Sequence, residues 1–127
     1  MLREIEGLRQ DEPGLQRRWF HDEYFDLFVW QKPDGGLAAF ELCYGDHADE
    51  RALVWKEDGG LYHDGPLGMD EDGRIAARFD SAGAALPAEV RAAVDARIAE
   101  YAAARDRIQA RRGRFRRADW QQRREKR

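Results

Sequence analysis

The sequence predicts an α+β domain, an antiparallel β-meander of four or five strands with one long C-terminal helix packed on one face. Three observations predict it. Asp-Gly occurs at 34, 58, 64 and 72, and three of these pairs separate segments of strand-like composition, as hairpin turns do. The stretches "YFDLFVW" (24–30) and "LAAFELCY" (37–44) are apolar runs of strand length. Beyond residue 80 the composition turns to alanine, with larger apolar residues at helical spacing.

In the N-terminal "LREIEGL", Leu2, Ile5 and Leu8 step by three and suggest a short helix, against which Gly7 argues. A first strand is expected over about 19–31 and a second over 37–44. Placing Asp34-Gly35 at a type I′ turn pairs residues whose numbers sum to 69. Phe25, Leu27 and Val29 then face Tyr44, Leu42 and Phe40 on one wholly apolar side. The other side carries Tyr24, Asp26, Phe28 and Trp30, with Cys43 opposite Asp26 and Glu41 opposite Phe28. Further strands are expected at about 50–57, 60–64 and 74–79.

Pro87 suits a first helical position and Gly113 a break, so the helix is expected to run from about 87 to 112. Val90, Val94, Ile98, Tyr101, Ile108 and Phe115 form its apolar stripe. Such a helix is about 39 Å long, whereas five strands side by side measure about 24 Å. The helix would overhang its sheet, leaving Ile108 and Phe115 for a second subunit or a fold-back. Residues 1–112 are therefore read as one domain and 113–127 as a basic Arg-rich tail, disordered or bound to a partner.

Charge divides the chain the same way. Residues 1–104 hold 22 Asp and Glu against 11 Arg and Lys, and residues 105–127 hold 3 against 11. An acidic body with a basic end attracts polyanions, or recognises itself. No apolar run approaches a membrane span, and the start has neither the basic region nor the apolar stretch of a signal peptide. A soluble, cytoplasmic protein with no membrane attachment is the expectation. Cys43 is the only cysteine, which rules out an internal disulfide.

The stretches "RRWFHDEYFDLFVW", "AAFELCYG" and "ERALVW", all within residues 17–55, resemble a group of small bacterial proteins of unassigned function. The resemblance implies a bacterial, cytosolic origin and carries no activity, cofactor or catalytic residue with it.

Few constellations point to chemistry. The loop "GDHADE" (45–50) gathers Asp46, His47, Asp49 and Glu50 without the spacing of a metal site and reads as a polar turn. "MDEDGRI" repeats the interior of a calcium loop, but Gly68 and Phe79 stand where carboxylates are needed. His21 and His63 each have a neighbouring acid, yet Ser81 reads as a turn or cap residue and Cys43 as a small buried hydrophobe. No cofactor is implied and catalysis is not favoured.

Two surfaces remain. One is the second sheet face, Tyr24, Asp26, Phe28, Trp30, Glu41 and Cys43, able to hold a small cationic ligand or a partner's arginine. Alternatively it is covered by the N-terminal segment or a symmetric partner, its acids met by Arg17, Arg18 or Arg51. The other is the run Arg105, Arg107, Arg111, Arg112, Arg114, Phe115, Arg116, Arg117 and Trp120, a candidate contact for nucleic acid or for an acidic partner. The favoured expectation is a non-enzymatic interaction module, a homodimer or a protein-partner complex formed through the second face and the overhanging helix. Nucleic-acid association through the tail is the alternative. A small-ligand or enzymatic site on the aromatic and acidic face is the third.

Overall fold

A computed structural model describes residues 1–45, 51–64, 71–104 and 110–111. The chain is α+β, with an antiparallel sheet and two helices. Strands β1 (Arg3–Ile5), β2 (Gln16–His21), β3 (Asp26–Gln31), β4 (Leu37–Tyr44), β5 (Arg51–Lys56) and β6 (Gly60–Asp64) lie side by side in chain order, each antiparallel to the next. Helices α1 (Glu71–Ala82) and α2 (Ala88–Ala104) follow. A two-residue β7 (Ala110–Arg111) then runs parallel to β6.

The expected first hairpin is present in the expected register. Leu27 pairs with Leu42, Val29 with Phe40, Phe28 with Glu41, Asp26 with Cys43 and Trp30 with Ala39. Its turn differs in position, because the Gly35 N–H donates to the Lys32 carbonyl and Gly35, at a positive φ of 94°, follows the central pair and is not part of it. Pro33 and Asp34 then occupy the central positions of an ordinary turn, and the register slips between Trp30 and Gln31 to absorb the extra residue.

Four expectations are corrected. The strand expected over 19–31 is two strands, β2 and β3, because Asp22 breaks it: its Oδ1 accepts from the backbone N–H groups of Tyr24 (2.8 Å) and Phe25 (2.6 Å), an Asx turn. The helix suggested in "LREIEGL" is β1. Leu2 packs into the helix-side core, whereas Ile5 and Leu8 pack against the opposite face of the sheet, so the three do not share a stripe. The strand expected at 74–79 lies inside α1. The single helix to 112 does not form either: α2 is described to Ala104, and Ala110 and Arg111 are extended beside β6.

The main core lies between the sheet and the helices. Leu27, Val29, Phe40, Leu42 and Leu53 from the strands meet Ile75 and Phe79 of α1 and Val90, Val94, Ile98 and Tyr101 of α2. The first four members of the α2 stripe read from the sequence are thus all buried; Ile108 and Phe115 fall outside the described residues. Each such side chain stabilises the fold by about 1.5–3 kcal/mol on burial. Gly83 ends α1, its N–H donating to the Phe79 carbonyl at 2.8 Å. A Cβ there would stand 3.2 Å from the Phe79 ring, so glycine lets the chain turn tightly over that ring toward α2. Arg91 then ties α2 to α1 through the carbonyl and carboxylate of Asp80, each at 3.1 Å.

Candidate functional site

The opposite face of the sheet follows from the same alternation. Reading across the strands, Ile5, Trp19, Phe28, Glu41, Val54 and Tyr62 form one row. Arg17, Trp30, Ala39 and Lys56 form the row beside it, and His21, Asp26, Cys43 and Ala52 the row on the other side. Trp19, Phe28, Trp30, Cys43, Ala52 and Val54 make a second apolar cluster, with the Trp19 and Phe28 rings stacked at 5.5 Å. Phe28 is fully buried, and Glu41 and Cys43 keep 3% of their surface.

Part of that burial comes from the chain's own N-terminal segment, whose Leu8 and Leu15 pack against the cluster. Gln10 anchors the segment by imitating a strand. Its Oε1 accepts from the Arg17 N–H (2.7 Å) and its Nε2 donates to the Arg17 carbonyl (3.0 Å), supplying side-chain partners where β1 has already ended. The Arg17 side chain is wrapped by the same segment, donating to Asp11 Oδ2 at 2.8 Å and to the Arg9 carbonyl. Arg18, on the helix side of the sheet, makes a two-point pair with Glu4 at 2.8 Å and donates to Gln31. The Glu4 hydrogen bonds raise its pKa above the usual arginine value, against a smaller opposing effect of burial.

Asp26 has no exposed surface, and its Oδ1 accepts from Trp19 Nε1 and meets His21 Nδ1, both at 2.7 Å. Among the described residues, the acid that opens β3 is thus met by two side chains presented two residues apart on β2.

On the other side of the face from Asp26, over the row of Trp30, Ala39 and Lys56, lies a cleft of about 510 Å³, lined by Glu12 and Leu15 of the N-terminal segment, Trp30 of β3, Ala39 and Glu41 of β4, Val54 and Lys56 of β5, and Glu57 and Asp58 of the following turn. Its walls are apolar and aromatic. Its charged groups are four carboxylates and one ammonium. Glu57 also pairs with Lys32 at 3.0 Å, linking the two hairpin turns, and this hydrogen bond raises the Lys32 pKa above its ordinary 10.5.

Of the six residues expected on this face, Asp26, Phe28, Trp30, Glu41 and Cys43 are there; Trp30 and Glu41 line the cleft. Tyr24 is not. The Asp22 turn swings it to the helix side, where it packs against the main core and the Arg78 guanidinium lies 4.1 Å from its ring centroid. Arg105, Arg107, Arg112, Arg114, Phe115, Arg116, Arg117 and Trp120 lie outside the described residues, and Arg111 is placed only as a backbone position in β7. So does the loop 46–50. Residues 71–75 of "MDEDGRI" are helical, which is not the backbone of a calcium loop. His63 is buried in the main core, its Nε2 hydrogen-bonded to the Tyr44 hydroxyl and its ring stacked on Tyr101 at 5.5 Å.

Leu15, Glu12 and the acids of the β5–β6 turn were not singled out from the sequence. The turn acids follow from continuing the pairing rule through β4 and β5, where partners sum to 95. Glu12 and Leu15 reach the cleft on a loop that has no period to read. Among the described residues, no group of three or more His, Cys, Asp and Glu side chains is placed to hold a metal ion, and no helix is long and apolar enough to cross a membrane. Compared with family models, curated proteins and solved structures, the chain matches none of them.

Proposed function

We propose that the chain is a binding module whose cleft takes a positively charged side chain, foremost an arginine, from a protein segment. The composition of the cleft carries this reading: four carboxylates and one ammonium surround an indole and aliphatic walls. A guanidinium is planar and weakly hydrated, so it gains from both an aromatic face and carboxylate acceptors, as a compact anion does not. Glu41 is central. It stands in mid-sheet between Phe28 and Val54, almost wholly out of water, where a polar contact is less screened than at the exposed rim acids. Self-association through this face is one case of the same recognition, with the arginine coming from a second copy.

The test is binding of a fluorescein-labelled Gly-Arg-Gly-Arg-Phe peptide, followed by anisotropy at low and high salt. Binding should weaken as salt rises, and Glu41→Gln should weaken it about tenfold or more, the scale of a charge-assisted hydrogen bond worth about 1.5–3 kcal/mol. A Gly-Glu-Gly-Glu-Phe peptide should not bind. Equal affinity for the two peptides, or an unchanged affinity in Glu41→Gln, removes the reading.

A further inference from the structure

Resting on the cleft reading, we infer that Lys32 is a competitor built into the site: its ammonium occupies Glu57, one of the four carboxylates offered to a guest, and an incoming cation must displace it. Glu57 lines the cleft and Lys32 does not. The lysine reaches in from the neighbouring hairpin turn, its Nζ standing 3.0 Å from Glu57 Oε1.

The backbone beneath both partners is fixed, so that only side chains need move. Lys32 donates its N–H to the Gly36 carbonyl at 2.7 Å and accepts from the Gly35 N–H at 2.9 Å, while the Glu57 N–H donates to the carbonyl of Ala38, itself a cleft residue, at 2.9 Å. Between them the lysine side chain passes over Gly36, where a Cβ would stand 3.3 Å from Lys32 Cε and 3.2 Å from Asp34 Oδ1. Glycine keeps that path clear. The hydrogen bond and charge of Glu57, with a smaller contribution from Asp34, raise the Lys32 pKa above 10.5, so the ammonium is charged throughout the neutral range.

The strength of the pair suits a competitor and not a lock. Lys32 keeps 33% and Glu57 55% of its side-chain surface in water. An exposed pair of this kind favours the closed over the open form by about 1.4 to 5 to one. The open form is then about a sixth to two-fifths of the molecules, and a guest binds about 2.5- to 6-fold more weakly than to a freed cleft. A guanidinium is equipped to win the exchange. Lys32 makes a single contact, to Oε1, whereas a planar fork engages both carboxylate oxygens.

The experiment uses the full chain and the fluorescein-labelled Gly-Arg-Gly-Arg-Phe peptide at fixed salt. Lys32→Gln should bind it about 2.5- to 6-fold more tightly than wild type. In a Glu57→Gln background the same substitution should change nothing, because the seat of the competitor is gone. Displacement is read directly on the wild type by carbon NMR of lysine labelled at Cε. Lysine occurs only at 32, 56 and 126, and the Lys32 signal is the one lost in Lys32→Gln. Saturating peptide should bring its titration midpoint down toward the ordinary 10.5. Equal or weaker binding by Lys32→Gln overturns the competition, while salt-dependent binding to wild type leaves the cleft reading standing. A gain that persists in the Glu57→Gln background comes from net charge alone and overturns it as well. So does a Lys32 midpoint that the peptide leaves in place. If neither wild type nor Lys32→Gln binds the peptide, the cleft reading itself falls and the competitor with it.

Discussion

Asp26 occupies a strand position where both neighbours along the chain point into the main core, so its own side chain must lie against the other face of the sheet. There the Trp19 indole N–H and His21 Nδ1 converge on Oδ1. Removing the acceptor leaves the indole N–H buried, at about 1–3 kcal/mol, and adds a small void. Asp26→Ala is therefore expected to cost about 2–4 kcal/mol in chemical denaturation. Asp26→Asn keeps an acceptor for the indole and should cost less than half as much. An alanine variant as stable as wild type would show that these contacts contribute nothing net. The placement of Asp26, Phe28, Trp30, Glu41 and Cys43 was legible because side chains alternate strictly along a strand, so one correct turn assigns every residue between its ends. Tyr24 was misplaced because alternation holds only while the strand does, and an Asx turn leaves no hydrophobic signal. Of the cleft, the sheet floor was readable and the rim was not, since Glu12 and Leu15 arrive on a loop whose path depends on Gln10 finding the backbone of Arg17.

Among the elements, α1 shows how a short apolar run misleads. Ile75, Ala77 and Phe79 alternate as a strand would, while Ile75, Phe79 and Ala82 step by four and three as a helix would. Alanine decides nothing, because it is at home on either side of an element. In the structure Ile75 and Phe79 are buried, and Ala76, Ala77 and Arg78 face outward. The helix reading separates the two positions sharply. Ala77→Gly on its exposed face should cost about 1 kcal/mol through helix propensity alone, whereas Phe79→Ala should cost about 3–5 kcal/mol. Thermal or urea denaturation measures both; a neutral Ala77→Gly would be inconsistent with a helical residue 77. The other misreading, a helix carried to Arg112, has a different cause. Alanine-rich sequence favours continuing the helix, but the edge of β6 offers unpaired backbone groups, and by Ala110 the chain has taken them up.

At the scale of the whole molecule, one sheet serves two clusters. β3 sends Leu27 and Val29 into the helix-side core and Phe28 and Trp30 into the other, and β4 divides Phe40 and Leu42 from Cys43 in the same way. Neither cluster can lose a central strand without opening the other, so the two are expected to unfold as one unit. Tryptophans on opposite sides make this measurable. Trp19 and Trp30 report the second face, while Trp55 reports the helix side, where the Arg97 guanidinium lies 4.5 Å from its ring centroid. In a Trp120→Phe, Trp55→Phe variant the remaining fluorescence belongs to the second face alone, whereas far-ultraviolet circular dichroism near 222 nm follows the helices. The two signals should share one urea midpoint and one slope. An earlier midpoint for fluorescence would mean that the N-terminal cover and the cleft beneath it open while the helix-side core stands. In that case ligand binding at the cleft would have to be described as coupled to a local opening and not as docking to a preformed face.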